Sequence, residues 1–206
     1  VGMNPGYSLI TTVEPTTEPV SAELIRQQCR VSDTADNSDL YTLWGVAARK
    51  MIEDETQRRL ITQTIKLSLP FFPNDGYIKI PIEPVASITS LTYYDVAGSQ
   101  QTLVAGTDYL TELARRPPVV YQHPLGYFPP TQTGRLDAVQ LTFVAGYGAA
   151  TAVPEYMKTA ILMCCTFWNA NRGDVFPPAG EDIHKVLGLP SGVIRLIRMM
   201  NARGYS

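Results

Sequence analysis

Several things are scarce in this chain, and each scarcity removes a class of function. No apolar run reaches the roughly 18 residues that a membrane-spanning helix requires. Only three cysteines are present, Cys29, Cys164 and Cys165, which is too few for a disulfide framework. Cys164 and Cys165 are neighbours in a helical pattern, so their side chains point about 100° apart. The cysteine usage therefore reads as a chain made in a reducing, intracellular place. Charged residues make up 17% and the formal net charge is −2, so the basic excess of a protein that grips phosphate backbones is missing. The opening VGMNPGYSLITTVEP has neither a basic n-region nor an apolar h-region and does not read as a secretory signal.

Catalytic and cofactor motifs are equally sparse. The stretch LTFVAGYGAATAVPEYMKTAI runs from an apolar strand pattern through glycines into a helical pattern, an order that nucleotide-binding proteins share. The dinucleotide fingerprint needs a third glycine where this chain has Thr151, and it needs a helix that opens within the glycine run. Pro154 delays the helix by several residues. A P-loop needs Gly-Lys-Ser/Thr, which is absent. Gly146 and Gly148, with Pro154, therefore read as a structural turn in which the glycines allow positive φ. The two histidines, His123 and His184, lie in proline-rich loops without cysteine or carboxylate at ligand spacing, so no metal is expected. There is no Gly-x-Ser-x-Gly, Ser191 reads as a turn or cap residue, and the acids Asp174, Glu181 and Asp182 read as solvated loop carboxylates. The expectation is no enzyme, no cofactor and no catalytic residue.

What is present is enough chain, 206 residues with 45% hydrophobic content, to bury a sizeable core. Residues 1–19, rich in Thr and Pro, read as an extended arm. Residues 20–60 read as helical. A short helix begins at Ser21, a good N-cap. A long one follows, with Leu40, Leu43, Trp44, Ala47, Ala48, Met51 and Ile52 on one stripe. The opposite face is assigned Arg49, Lys50, Glu53, Asp54 and Gln57. Residues 61–147 change to a period of two, as in Ile65, Leu67 and Leu69, and read as a β-rich insertion. The loop from Arg115 to Arg135 carries five prolines in its span and cannot be central strand throughout. Residues 148–206 return to helix. Met157, Ala160, Ile161, Cys164, Phe167 and Trp168 follow a 3.6 period, and a last amphipathic helix covers Val193 to Ala202. The fold class expected is α+β, a helical bundle with an antiparallel β-rich insertion between its second and third long helices.

Two stretches look suited to contacts. The terminal helix places Arg195 and Arg198 on one face beside an apolar row. Tyr121, Tyr127 and Phe128, and Phe176 further on, sit among prolines, and aromatics in stiff loops make good anchors.

One collinear set of segments resembles a family. The run from Leu141 to Arg172 resembles a recurring segment of the head–tail connector, or adaptor, proteins of long-tailed phages, on Val144, Ala145, Gly146, Tyr147, Gly148, Val153, Pro154, Ala160, Ile161, Leu162, Trp168 and Arg172. PVSAELIRQQCRV is similar to the family's opening helix, LYTLWGVAARKMIEDETQRRLITQTIKLSL to its long helix and following strand, PVASITSLTYYDVAGSQQTL to its hairpin and GLPSGVIRLI to its late turn. The resemblance covers roughly residues 19 to 200. The proline-rich 115–135 loop and the long N-terminal arm depart from the pattern.

The resemblance implies a structural virion protein. It would form a ring, twelve-fold to match the portal, that sits between portal and tail and extends the DNA channel. Its implied partners are the portal protein, the next neck or tail-completion protein, and further copies of itself. DNA would pass without sequence-specific binding, and no membrane is involved. Synthesis would be in the bacterial host cytoplasm and residence in the virion neck. The portal contact is expected in Val193, Arg195, Leu196, Ile197, Arg198, Met200, Arg203 and Tyr205. A contact to a neighbour or the next ring is expected in Tyr121, His123, Tyr127 and Phe128. The alternatives are another neck component, a stopper or tail-completion protein, and a small nucleotide-using packaging enzyme.

Overall fold

The computed structural model describes residues 6–31, 38–171 and 190–202. The chain is α+β and divides into two compact units. One comprises residues 62–147 together with 1–15, and the other residues 16–61 together with 148–206.

The first unit is antiparallel throughout its two sheets. β1 (Ser8–Val13), β2 (Gln63–Leu69), β8 (Val139–Ala145), β4 (Val85–Tyr94) and β5 (Gln100–Leu103) form a five-stranded sheet in the order β1-β2-β8-β4-β5. β3 (Tyr77–Lys79), β7 (Val119–Gln122) and β6 (Tyr109–Glu112) form a three-stranded sheet in the order β3-β7-β6. β8 lies at the centre because its sequence alternates cleanly: Val139, Leu141, Phe143 and Ala145 are buried, and Gln140, Thr142 and Val144 are half-buried. Phe143 stands opposite Ile65 on one side and Ile88 on the other. In β4 the apolar residues Ile88 and Leu91 are three apart, which breaks a period of two. The register against β8 shifts between Ile88 and Ser90, and this irregularity brings Leu91 back to the core face.

One expectation changes here. Ser8–Val13 falls within the stretch expected as an arm, yet it pairs with β2 as an edge strand, from Ser8 opposite Ser68 to Val13 opposite Thr64. Its β-branched and apolar residues, Ile10, Thr11, Thr12 and Val13, suit a pleated strand. Within the proline-rich loop Val119–Tyr121 reads as a strand, and β7 forms there as the central strand of its sheet. Pro117 and Pro118 precede it and Pro124 follows it. The four residues of the strand contain no proline and keep the amide donors that a two-sided ladder requires.

The second unit is helical. α1 (Ala22–Gln28) starts at Ser21, whose hydroxyl accepts a hydrogen bond from the Leu24 amide at 3.2 Å. α2 spans Ser38–Thr56, α3 Glu155–Ala170 and α4 Ser191–Ala202. α1, α3 and α4 each pack on α2. α3 buries Met157, Ala160, Ile161, Cys164 and Cys165.

α2 is rotated relative to the stripe expected from its sequence. Tyr41, Gly45, Ala48, Ile52 and Thr56 face inward, whereas Leu43 and Met51 face solvent. Arg49 and Glu53, assigned to the solvent face, are 2% and 3% exposed. The cause is an ion triad. Arg49 donates from Nε to Glu18 Oε2 at 2.7 Å and from Nη1 to Glu53 Oε2 at 2.9 Å. The other oxygen of Glu53 accepts the Leu60 amide at 2.8 Å, which satisfies the backbone just beyond the helix end. Gly45 completes the inward face. A Cβ there would stand 3.0 Å from Ile25 Cδ1, so its absence lets α1 come close.

Candidate interaction surfaces

The glycine turn between β8 and α3 rests on two residues with positive φ. Gly146 and Gly148 have φ of 124° and 122°, a region that L side chains rarely adopt. The Gly146 amide donates to the Pro84 carbonyl at 2.9 Å, so it is engaged within the sheet unit. A short 3-10 turn, Ala150–Ala152, follows. Pro154 occupies the cap position with ψ of 138°, and α3 begins at Glu155. The helix therefore opens well after the glycines, with an acid in its first turn.

The loop after β7 is anchored at both ends. Tyr121 stacks on Tyr77, its cross-strand partner, with ring centroids 5.9 Å apart. The His123 amide donates to the Asp108 carbonyl at 3.1 Å, and its Nδ1 accepts the Leu125 amide at 3.2 Å, so this histidine closes a turn. Phe128 stacks on Phe72 at 4.4 Å and 13° and is packed back onto the sheet core. Of the four aromatic and histidine residues expected to reach a neighbour, only Tyr127 is fully outward. It is 91% exposed, as is Leu125, which the sequence reading missed. Leu125 could have been found from Pro-Leu-Gly-Tyr-Phe-Pro. A short loop pinned by prolines and by Phe128 leaves its intervening apolar residues nowhere to fold back. A cleft beside Tyr127 is lined by Phe71, Asn74, Pro129 and Pro130.

α4 divides its expected contact residues between two environments. Val193 and Ile197 are buried, in a helix that packs on α2 and α3. They belong to the bundle's own core and are not available to a partner. The reason is spacing. Residues 193 and 197 form one i, i+4 row, and that row meets the helices already in the unit. Gly192 helps the approach, because a Cβ there would collide with the Met163 side chain. Leu196 is half-buried, and Ile194, Arg195 and Arg198 are exposed. Met200 lies on the helix backbone with its side chain outside the described residues. Arg203 and Tyr205 also lie outside them, as do Asp174, Phe176, Glu181, Asp182 and His184.

The thiols are embedded in the helical unit. Burial pushes Cys164 and Cys165 up to about 12, so both are neutral and unreactive near pH 7. Cys29 donates weakly from Sγ to the Cys165 carbonyl at 3.8 Å. Among the described residues no group of three or more His, Cys, Asp or Glu could hold a metal ion, and no helix is long and apolar enough to cross a membrane.

No protein-family model matches the sequence, and no curated protein matches it either. The fold does have solved counterparts. The chain is similar to one in the virion of the native gene transfer agent particle, with a TM-score of 0.72 and 22% identity over 93% of each chain. It is similar to a chain in the neck of the empty particle computed with C6 symmetry, with a TM-score of 0.67 and 24% identity over 94% of each chain. It is similar to a chain in the neck of the native particle computed with C12 symmetry, with a TM-score of 0.65 and 26% identity over 94% of this chain and 93% of that one. These structural neighbours are thus neck chains of a phage-like particle, matched along nearly their whole length.

Proposed function

We propose that this chain is a structural, non-enzymatic subunit of a phage-like neck: a head–tail adaptor that assembles as a twelve-fold ring beneath the portal and extends the DNA channel toward the tail. The observation that carries this reading is the near full-length likeness, at 26% identity, to a chain in a neck computed with C12 symmetry. Full coverage matters because it includes both the helical unit and the sheet unit rather than one common module. The composition supports it as well, since a net charge of −2 suits a channel through which DNA slides without adhering.

Within this reading the portal contact lies on the outward side of α4, through Arg195 and Arg198 with Ile194 beside them, and continues into the terminal residues. Leu125 and Tyr127 contact a neighbour or the next ring. Both surfaces combine apolar and stiff or charged elements that are energetically effective when desolvated. The test is genetic. Deleting the coding sequence from the particle's genome is expected to leave DNA-filled heads without tails, and adding purified protein is expected to restore tail attachment. Complete particles from the deletion would overturn the proposal.

A further inference from the structure

We infer that the outward face of α2, built from Leu43, Ala47 and Met51, is a contact to a second copy of this chain. The inference rests on the neck reading and adds the surface through which copies meet.

Two large apolar side chains stand on the outward side of α2 among the exposed Asp39, Thr42, Lys50, Asp54 and Glu55, with half-buried Ala47 between them. Leu43 is 62% exposed and Met51 37%, while Arg49 and Glu53 of the same helix are buried. Leu43 stands nine residues from the buried Ile52, about 180° around the helix. The rotation of α2 is held from inside. Arg49 is bonded to Glu18 in the lead-in, and Glu53 to the amide of Leu60 beyond the helix. Turning Leu43 and Met51 inward would break those bonds and leave desolvated charges to be reaccommodated. The apolar row is therefore fixed outward.

Its shape suits another helix. Leu43, Ala47 and Met51 fall at i, i+4 and i+8, a ridge about 12 Å long with large, small and large side chains. Such a ridge seats in the groove of a crossing helix, and the alanine allows close approach. Exposed Lys50 and Asp54, one of each sign, border it and supply a polar rim.

The occupant follows from symmetry and size. Related chains stand in necks computed with C6 and C12 symmetry. Copies repeated about such an axis meet through two different faces, and one of these needs to be apolar enough to exclude water. The ridge offers on the order of a few hundred Å², well below the roughly 1,200 Å² of a stable pairwise interface. It cannot hold a dimer alone. It can close a ring once a shared platform holds neighbours side by side, because the second contact then forms at high effective concentration.

The test uses the full chain with the portal ring of the same particle. Benzoylphenylalanine is placed at position 43, isotopically heavy and light protein are mixed on the portal, and the complex is irradiated. Expected is a heavy–light crosslink between copies. A crosslink to the portal alone, or none in rings that do form, overturns the inference. Alongside, the Leu43→Glu/Met51→Glu variant is expected to keep its melting temperature, since both side chains are exposed, and to need at least tenfold more protein to complete the ring. A folded variant that completes rings as well as the unmodified chain overturns the contact alone. Failure of the unmodified chain to add a ring overturns the neck reading beneath it.

Discussion

Arg49 and Glu53 lie one turn apart on α2 with Nη1 and Oε2 separated by 2.9 Å, and both side chains are buried. Burial opposes the Arg49 charge, and the hydrogen bonds and charges of Glu18 and Glu53 more than offset it, holding the guanidinium above its ordinary value. Such a group is a liability if one member is removed. Arg49→Ala leaves Glu53 desolvated without its partner and is expected to cost about 3–5 kcal/mol. Glu53→Ala is expected to cost a similar amount, because it also strands the Leu60 amide. Denaturant unfolding followed by circular dichroism checks both, and losses under 1 kcal/mol would show that the triad is not the element that sets the helix's rotation.

The β4–β5 turn depends on one carboxylate. Asp95 accepts the amides of Ala97 and Ser99 at 2.9 Å each and the Gln101 side chain at 2.9 Å. These bonds, with the Gln101 side chain first among them, hold its carboxyl below the usual value of 3.8. A depressed folded pKa contributes stability above the unfolded pKa and loses it as pH falls through the folded value. Asp95→Asn is therefore expected to be less stable than the parent at pH 7, and the gap is expected to close as pH drops toward 2. A gap that stays constant across this range would assign the effect to shape rather than charge.

Thiol labelling reads the packing of the bundle. Cys29 is half-buried, while Cys164 and Cys165 are fully enclosed. Cys29 is expected to react first with a neutral thiol reagent, and the pair on α3 only in denaturant. The raised pKa values also carry a sign. Above the ordinary thiol value of about 9 the unfolded chain gains thiolate that the folded chain does not, so stability is expected to fall as pH rises from about 9 toward 12. Fast labelling of all three under native conditions would contradict this packing.

On α4 the two faces predict opposite behaviour. Ile197→Ala is expected to cost about 2–5 kcal/mol as a core truncation. The Arg195→Glu/Arg198→Glu variant is expected to melt with the parent and to lose portal binding, since both residues are exposed. Leu125→Ala/Tyr127→Ala is likewise expected to leave the melting temperature unchanged. Loss of folding in either exposed pair would reassign those residues to the interior.

Much of the sheet is legible in the chain itself. The alternation of Val139, Leu141, Phe143 and Ala145 marks β8 as a strand, and the loss of parity between Ile88 and Leu91 hints at an irregularity. Val119–Gln122 is legible as a strand because it is apolar and contains no proline, whereas its place at the centre of a sheet is obscured by the prolines on either side. The rotation of α2 is hidden for a different reason. Arg49 is read as a surface residue until Glu18, thirty-one residues earlier, is known to reach it. A 3.6 period reports that a helix has an apolar stripe, and α2 carries apolar residues on more of its circumference than the bundle uses. For α4 the same limit applies in reverse. The Val193–Ile197 row fits a groove, and only the folded chain tells whether that groove is its own.

The most direct measurement mixes the purified protein with the portal ring of the same particle and averages negative-stain images. The account predicts an added ring of density beneath the portal with twelve repeats. Bare portals, at concentrations where both proteins remain soluble, would contradict it.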